Sequence, residues 1–180
     1  MYTSPMLRAA LFALTGVAFF VYWVVANPSF EGAAGQTEWP HVLGFSAVLL
    51  SLALALPVFG RMVGGRWVTR LSLVAGAAVA TSSIANIFED GLNIEEAFLF
   101  FILGALFMLA ALIPLSAVIA WTGRGPHRLL ALVPLGTVAG LILFVVAGGV
   151  IMLVTWGAGA AFALALSTRT NDMRARTPAP

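Results

Sequence analysis

The sequence predicts an all-α integral membrane protein, built as a bundle of six transmembrane helices with both termini on the cytoplasmic side. Hydrophobic residues make up 61% of the 180-residue chain and charged residues only 9%, whereas about a quarter of the residues in a typical soluble domain are charged. The apolar residues form long runs, and about 20 apolar residues suffice for a helix to cross the hydrocarbon core of a bilayer. Lipid is therefore the expected solvent for most of the chain.

The apolar runs define six predicted spans within a transmembrane domain of residues 1–168. The first run follows Arg8, and a cleaved signal peptide is the alternative interpretation, but the run is longer than a typical signal core. The run between Arg128 and Arg169 would make a helix of about 60 Å, roughly twice the thickness of the core. We therefore expect it to cross twice, with a turn at 147–149. The predicted spans are residues 9–26, 41–59, 71–90, 94–121, 129–146 and 150–168.

Several local signals predict where these helices begin and end. Gly91 is expected to end the third helix by adopting the left-handed conformation. Asn93 and Glu96 have the spacing of a capping box, which predicts the start of the fourth helix. Pro114 is expected to kink that helix unless its neighbours compensate. Residues 169–180 are polar and basic, and they are predicted to form a disordered cytoplasmic tail.

The distribution of charge predicts the orientation. All basic residues are arginines, located in the two terminal tails and in the loops after the second and fourth spans: Arg8, Arg61, Arg66, Arg70, Arg124, Arg128, Arg169, Arg174 and Arg176. Six acidic residues lie in the loops after the first and third spans: Glu31, Glu38, Glu89, Asp90, Glu95 and Glu96. Arginine is enriched on the cytoplasmic side of membrane proteins, so both termini are expected there. The arginine-only, alanine-rich composition is typical of a GC-rich genome and favours a bacterial inner membrane.

The composition also disfavours several classes of function. The chain has no cysteine, which excludes thiol nucleophiles and thiolate-bound metals. Its two histidines, His41 and His127, are predicted on opposite sides of the membrane, so this chain alone would not supply paired axial haem ligands. A formal charge of +2 is too small to suggest nucleic acid. No ionisable residue lies near the middle of a predicted span, which argues against a proton-coupled carrier.

The third predicted span contains the main candidate binding site. Ser82, Asn86, and Glu89 or Asp90 recur at intervals of three and four residues, so they share one helix face. With Trp39 near the same membrane surface, this polar face is a candidate site for a cation or a cationic small molecule. A solvated turn is the alternative for the carboxylates. The serines and Asn86 have an alternative role in hydrogen bonding to their own helix or to a neighbouring one.

A weaker hypothesis concerns a metal or an enzyme active site. His41 begins the second predicted span on the same side as Glu89 and Asp90. These three side chains would make a histidine–carboxylate set for zinc or manganese. They would also be the acid, base or metal ligands of an enzyme acting on lipid at the outer interface.

Small residues suggest a third role. Gly136 and Gly140 form a GxxxG motif, which lets helices approach closely. The last span adds a set of small residues: Gly157, Gly159, Ala160, Ala161 and Ala163. These residues serve either packing within the chain or docking to a second copy or a membrane partner. The favoured hypothesis is a non-enzymatic accessory or scaffold subunit, with cation binding or permeation and a lipid-acting enzyme as alternatives.

Overall fold

A computed structural model describes residues 4–26 and 39–176, with side chains described as far as residue 166. It contains six helices that are long and apolar enough to cross a membrane, which confirms the predicted number. The loop with Glu31 and Glu38 lies outside the described residues. The helices are α1 (Pro5–Ala26), α2 (Trp39–Val63), α3 (Arg66–Asn86), α4 (Ala97–Thr122), α5 (Leu132–Ile142) and α6 (Gly149–Arg176).

Three short helical segments modify the ends of these helices. A π-helical turn, Ile87–Gly91, extends α3, and a 3-10 helix, Gly125–Ala131, leads into α5. A second π-helical turn, Phe144–Gly148, leads into α6. The link between α2 and α3 is only Gly64 and Gly65, both with positive φ (82° and 91°). Glycine adopts this conformation without a steric penalty, so the chain reverses in two residues.

The turn between α3 and α4 differs from the prediction. Gly91 does not adopt the left-handed conformation; Asn93 does, with φ 54°. Gly91 instead allows a close approach, since a Cβ there would lie 2.9 Å from the Trp39 ring. The predicted capping box is also wrong, because α4 begins at Ala97 and no side chain caps it. Carbonyls of the preceding turn accept hydrogen bonds from the first amides, as in Ala97 N to Ile94 O at 2.9 Å.

The long apolar run after Arg128 forms two helical segments that are each long and apolar enough to cross a membrane, as expected, but it reverses earlier than predicted. α5 ends at Ile142 and the next candidate span begins at Phe144, so the predicted turn at 147–149 is wrong. Gly148 lies beside the backbone of Gly140 and packs the two arms of this hairpin together.

The backbone of α6 is helical as far as Arg176. The first part of the predicted disordered tail, residues 169–176, is therefore helical. Extending an existing helix needs no new nucleation, which explains how a polar sequence continues it. Residues 177–180 lie outside the described part of the chain.

Consecutive helices pack against one another, and α6 packs against α1, so the six helices form a closed ring. Within each pair of neighbouring helices, the residue numbers of the contacting residues rise along one helix as they fall along the other. Between α2 and α3, for example, Ser46 pairs with Ser83 and Ala53 lies against Gly76. Between α1 and α6, Phe12 contacts Trp156 while Gly16 faces Leu153. Neighbouring helices are therefore antiparallel.

The interior of the ring is filled by side chains. Phe12, Phe59 and Trp156 are fully buried and pack as a trio, with ring centroids 5.5 to 6.2 Å apart. The Trp156 indole N–H has no hydrogen-bond partner among the described residues, because aromatic and aliphatic groups surround it. Further fully buried side chains complete the core: Leu52, Leu56, Leu112, Leu115 and Met152.

Proline and glycine shape the contact between α2 and α3. Pro57 has no amide hydrogen, so the Ala53 carbonyl lacks its usual partner within the helix. Gly76 of α3 sits against this position, where a Cβ would lie 2.8 Å from Ala53 O and 2.9 Å from Pro57 Cδ. The absence of a side chain at Gly76 allows the two backbones to approach. In α4 the helix continues through Pro114 without interruption.

Candidate functional site

The acidic turn, residues 89–96, connects α3 to α4 and contains four carboxylates: Glu89, Asp90, Glu95 and Glu96. Trp39, the first residue of α2, packs its ring against Gly91 and is 47% exposed. The structure therefore brings Trp39 to the acidic turn, as the predicted site requires. Glu89 is partly buried, and the other three carboxylates are exposed.

A residue of α1 also lies towards this turn. The charge of Asp90 acts on Glu89, its neighbour in the chain, and on the Tyr22 side chain. Tyr22 stacks on Phe45 of α2 at 5.5 Å between ring centroids, and both rings lie near Phe144. Sequence reasoning did not single out Tyr22. The sequence gives no local sign that the end of α1 lies beside the turn between α3 and α4.

The buried part of the predicted polar face joins helices. Asn86 Nδ2 donates hydrogen bonds to Ser46 Oγ at 3.0 Å and to Val42 O at 3.3 Å, both in α2. Ser83 Oγ donates to Ser46 O at 2.8 Å. We call Ser46, Ser83 and Asn86 the polar junction; all three are 4% exposed. Asn86 thus bridges to a neighbouring helix, one of the two alternatives drawn from the sequence.

Ser82 makes a similar connection on the other side of α3. Its hydroxyl donates to Phe101 O of α4 at 3.0 Å, and it is also buried. A ligand that used Ser82 or Asn86 would have to replace bonds between helices. A ligand-binding role for these two residues, with Glu89, Asp90 and Trp39, stays a prediction.

The hypothetical metal set is not assembled. Among the described residues, no group of three or more His, Asp or Glu side chains is placed to hold a metal ion. His41 lies in the first turn of α2 and is partly exposed. His127 lies beyond α4, where its ring packs edge-on against Phe162 at 5.3 Å. His41, Glu89 and Asp90 are therefore not among any such group in the described part of the chain.

A groove of about 400 Å³ lies between α3 and α4 beside the acidic turn. Its lining residues come from both helices and from the turn: Thr81, Ile84, Ala85, Phe88, Ile94, Glu96, Ala97 and Phe100. We call it the α3–α4 groove. Sequence reasoning missed it, although 81, 84, 85 and 88 share a helix face adjacent to that of Ser82 and Asn86.

The predicted GxxxG motif packs inside the chain. A Cβ at Gly136 would collide with the Thr155 side chain, and one at Gly140 would lie 2.7 Å from Met152 Cγ. Gly159 of α6 also faces inward, towards Val133 and Phe12. These glycines hold α5 and α1 against α6.

A different face of α6 is uncovered. Val150, Val154, Ala158 and Ala161 are exposed, and an added Cβ at Gly157 would meet no atom of another helix within 4 Å. Their spacing of three and four residues places all five on one side of the helix. We call this set the exposed α6 face.

Opposite charges lie at opposite ends of the bundle. Because consecutive helices are antiparallel, the α2–α3 and α4–α5 turns share one end, and the acidic turn lies at the other. Arg66 and Arg70 lie at the start of α3, next to the first of these turns, and Arg70 lies 5.7 Å from the centre of the Trp67 ring. Arg128 occupies the second, where its Nε donates to Gly123 O at 2.9 Å. The segregation of charge inferred from the sequence is therefore present in space for the described residues.

Comparison with protein-family models, characterised proteins and solved structures gives no match for this chain.

Proposed function

We propose that this chain is a non-enzymatic accessory or scaffold subunit that docks a membrane partner through the exposed α6 face. The proposal rests mainly on Gly157. Where glycines of α5 and α6 lie at helix contacts, as Gly136, Gly140 and Gly149 do, an added Cβ would meet another helix. At Gly157 the same position is open, so a helix from another protein has room to approach the backbone.

The neighbouring residues support docking at this position. Ala158 and Ala161 are exposed, and small side chains beside a glycine allow close helix packing in membranes. Val154, 65% exposed, adds a stiff apolar side chain, since β-branched residues have few rotamers to lose on packing. The face has the composition that helix interfaces in membranes prefer.

The remaining polar groups support a structural role. Within the described ranges, the buried hydroxyls of Ser82, Ser83 and Thr137 donate hydrogen bonds to backbone carbonyls. Buried Asn86 bonds to α2. Side chains committed in this way stabilise the bundle rather than perform chemistry.

Docking is tested by co-purification of the full-length tagged chain from its native membranes in mild detergent. Gly157→Leu and Ala161→Leu place bulk on the exposed α6 face, and both are expected to abolish co-purification. Ala110→Leu is the matched control, because Ala110 is exposed on α4, away from this face. A monomeric particle without a partner, or equal loss with Ala110→Leu, would contradict the proposal.

The proposal includes the orientation predicted by charge: a bacterial inner membrane with both termini in the cytoplasm. Arginine enrichment at the end holding Arg66, and carboxylates at the end holding Glu89, support it. The chain lacks cysteine, so single cysteines introduced at these two positions can be labelled selectively in intact cells. A membrane-impermeant reagent is expected to label Glu89→Cys and not Arg66→Cys. Labelling of both from outside would refute this orientation.

A second candidate function is binding of a cation at the acidic turn. Glu89 and Asp90 are adjacent carboxylates, Trp39 lies beside the same turn, and paired carboxylates attract cations. The test is the Glu89→Gln, Asp90→Asn double variant, assayed by cation flux in vesicles. Unchanged flux would remove this candidate. The third hypothesis, a lipid-acting enzyme, requires His41 to join these carboxylates, and within the described residues the three side chains do not form such a group.

A further inference from the structure

The α3–α4 groove is apolar along most of its length. Ile84 of α3, Phe88 of the π-helical turn that follows it, and Phe100 of α4 form its walls, and they are 56%, 44% and 57% exposed. Ala85 and Ala97 form its buried floor. Both helices are long and apolar enough to cross a membrane, so the groove faces lipid. It is open to acyl chains and unsuited to a polar solute.

The groove has a polar end and an apolar end. Glu96, exposed at the start of α4, lies at the end next to the acidic turn. From Phe88 the groove runs along α3 to Thr81, which at 1.5 Å per residue is about 10 Å into the membrane. At the deep end, the Thr81 hydroxyl donates a hydrogen bond to Ala77 O of its own helix at 3.1 Å. Glu96 is the charged residue among those that line the groove. An apolar groove with a charged group at its surface end matches a lipid, which has an apolar acyl chain and a polar headgroup.

The sign of that charge selects the headgroup. Glu89, Asp90 and Glu95 lie in the same turn as Glu96, so the groove opens into a region of negative charge. An anionic headgroup would be repelled, whereas a primary ammonium group would both neutralise a carboxylate and donate hydrogen bonds to it. A quaternary ammonium has no N–H to donate.

We propose that the α3–α4 groove binds an acyl chain of an aminophospholipid, with the ammonium group of that lipid paired to Glu96. The proposal does not depend on docking at the exposed α6 face, which is a separate surface on another helix.

The test uses the full-length chain reconstituted in vesicles of phosphatidylethanolamine and phosphatidylglycerol. The protein is extracted in mild detergent, and the lipids retained per chain are counted by native mass spectrometry. The wild-type chain is expected to retain phosphatidylethanolamine preferentially. Preferential retention of phosphatidylglycerol would overturn the proposal.

Two pairs of variants separate the headgroup contact from the groove. Glu96→Gln is expected to reduce the preference for phosphatidylethanolamine about two- to fivefold, the range for an exposed ion pair. Glu95→Gln is its matched control, because Glu95 is an adjacent exposed carboxylate that does not line the groove. Equal effects of the two variants would overturn the headgroup assignment.

The second pair tests the effect of filling the groove. Ile84→Trp adds bulk at an exposed wall and is expected to release about one lipid per chain, because the space for its acyl chain is lost. Ile113→Trp is the control, since Ile113 is similarly exposed (58%) on α4 but lies outside the groove. Equal lipid counts for these two variants would overturn the proposal. Circular dichroism verifies that all four variants retain their helical content.

Discussion

On the side of the bundle formed by α2, α3 and α4, side-chain hydrogen bonds join neighbouring helices in addition to glycine contacts such as that of Gly76, whereas α1 and α5 pack against α6 mainly through glycines. Ser83 and Asn86 bond to α2, and Ser82 bonds to α4. On the other side, Gly16 meets the backbone of α6 at Leu153, and Gly148 meets that of Gly140. Both kinds of contact hold helices together, but a hydrogen bond restricts which residues pair, whereas a glycine contact restricts only the distance between two backbones.

A hydrogen bond specifies a partner, because a donor in hydrocarbon has few alternatives. A glycine specifies only that two backbones approach, and many sequences permit this. The polar junction therefore fixes how α3 is placed along α2, while the glycines determine how close α6 comes to its neighbours. Loss of a bond should weaken the bundle moderately, whereas added bulk at a glycine should force helices apart.

The largest loss of unfolding free energy is expected for Gly148→Ala. Its Cβ would collide with the Gly140 carbonyl, a backbone atom that no rotamer change can move. We expect a loss of about 3 kcal/mol in unfolding free energy, typical of severe overpacking, measured by SDS titration in mixed micelles. Gly157→Ala is the matched control, and it is expected to be neutral or stabilising by up to about 1 kcal/mol. Equal costs would show that close approach at Gly148 is unimportant.

Gly136→Ala is expected to be intermediate, with a cost of about 2 kcal/mol. Here the three atoms nearest to the added Cβ all belong to the Thr155 side chain, so Thr155→Ala should rescue it. We expect the double variant to show a coupling energy of about 1 kcal/mol in the same titration. Thr155→Ala should not rescue Gly148→Ala. Simple additivity of Gly136→Ala and Thr155→Ala would contradict the contact.

Asn86→Ala removes two interhelical hydrogen bonds of the polar junction. Hydrogen bonds between transmembrane helices average about 0.6 kcal/mol each, so we expect a cost of about 1 kcal/mol. The same titration, followed by circular dichroism, measures it. A cost above that of Gly148→Ala would invert the comparison between the two sides of the bundle.

The smallest effect is expected for Ser83→Ala, which removes one interhelical bond and should cost about 0.6 kcal/mol. Thr81→Ala is its control, because the Thr81 hydroxyl bonds within its own helix and is exposed. That variant should change the unfolding free energy by less than about 0.3 kcal/mol. If the two variants are indistinguishable, the bond from Ser83 to Ser46 contributes nothing measurable.

The sequence alone determined the number of spanning helices and the separation of charge between the ends of the bundle. Hydrophobicity and length are properties of a continuous segment, so each span can be recognised without knowledge of its neighbours. Charge separation follows once the number of crossings is known, because each crossing reverses the direction of the chain.

Only the tertiary structure decided what individual polar and small residues do. Asn86 and Ser82 had the spacing of a ligand-binding face, but they lie at contacts with α2 and α4. Gly91 had the position of a helix terminator, yet it makes room for Trp39, while Asn93 takes the left-handed conformation. These roles depend on which helix lies opposite each residue. Residues distant in the chain set that arrangement, so no local pattern encodes it.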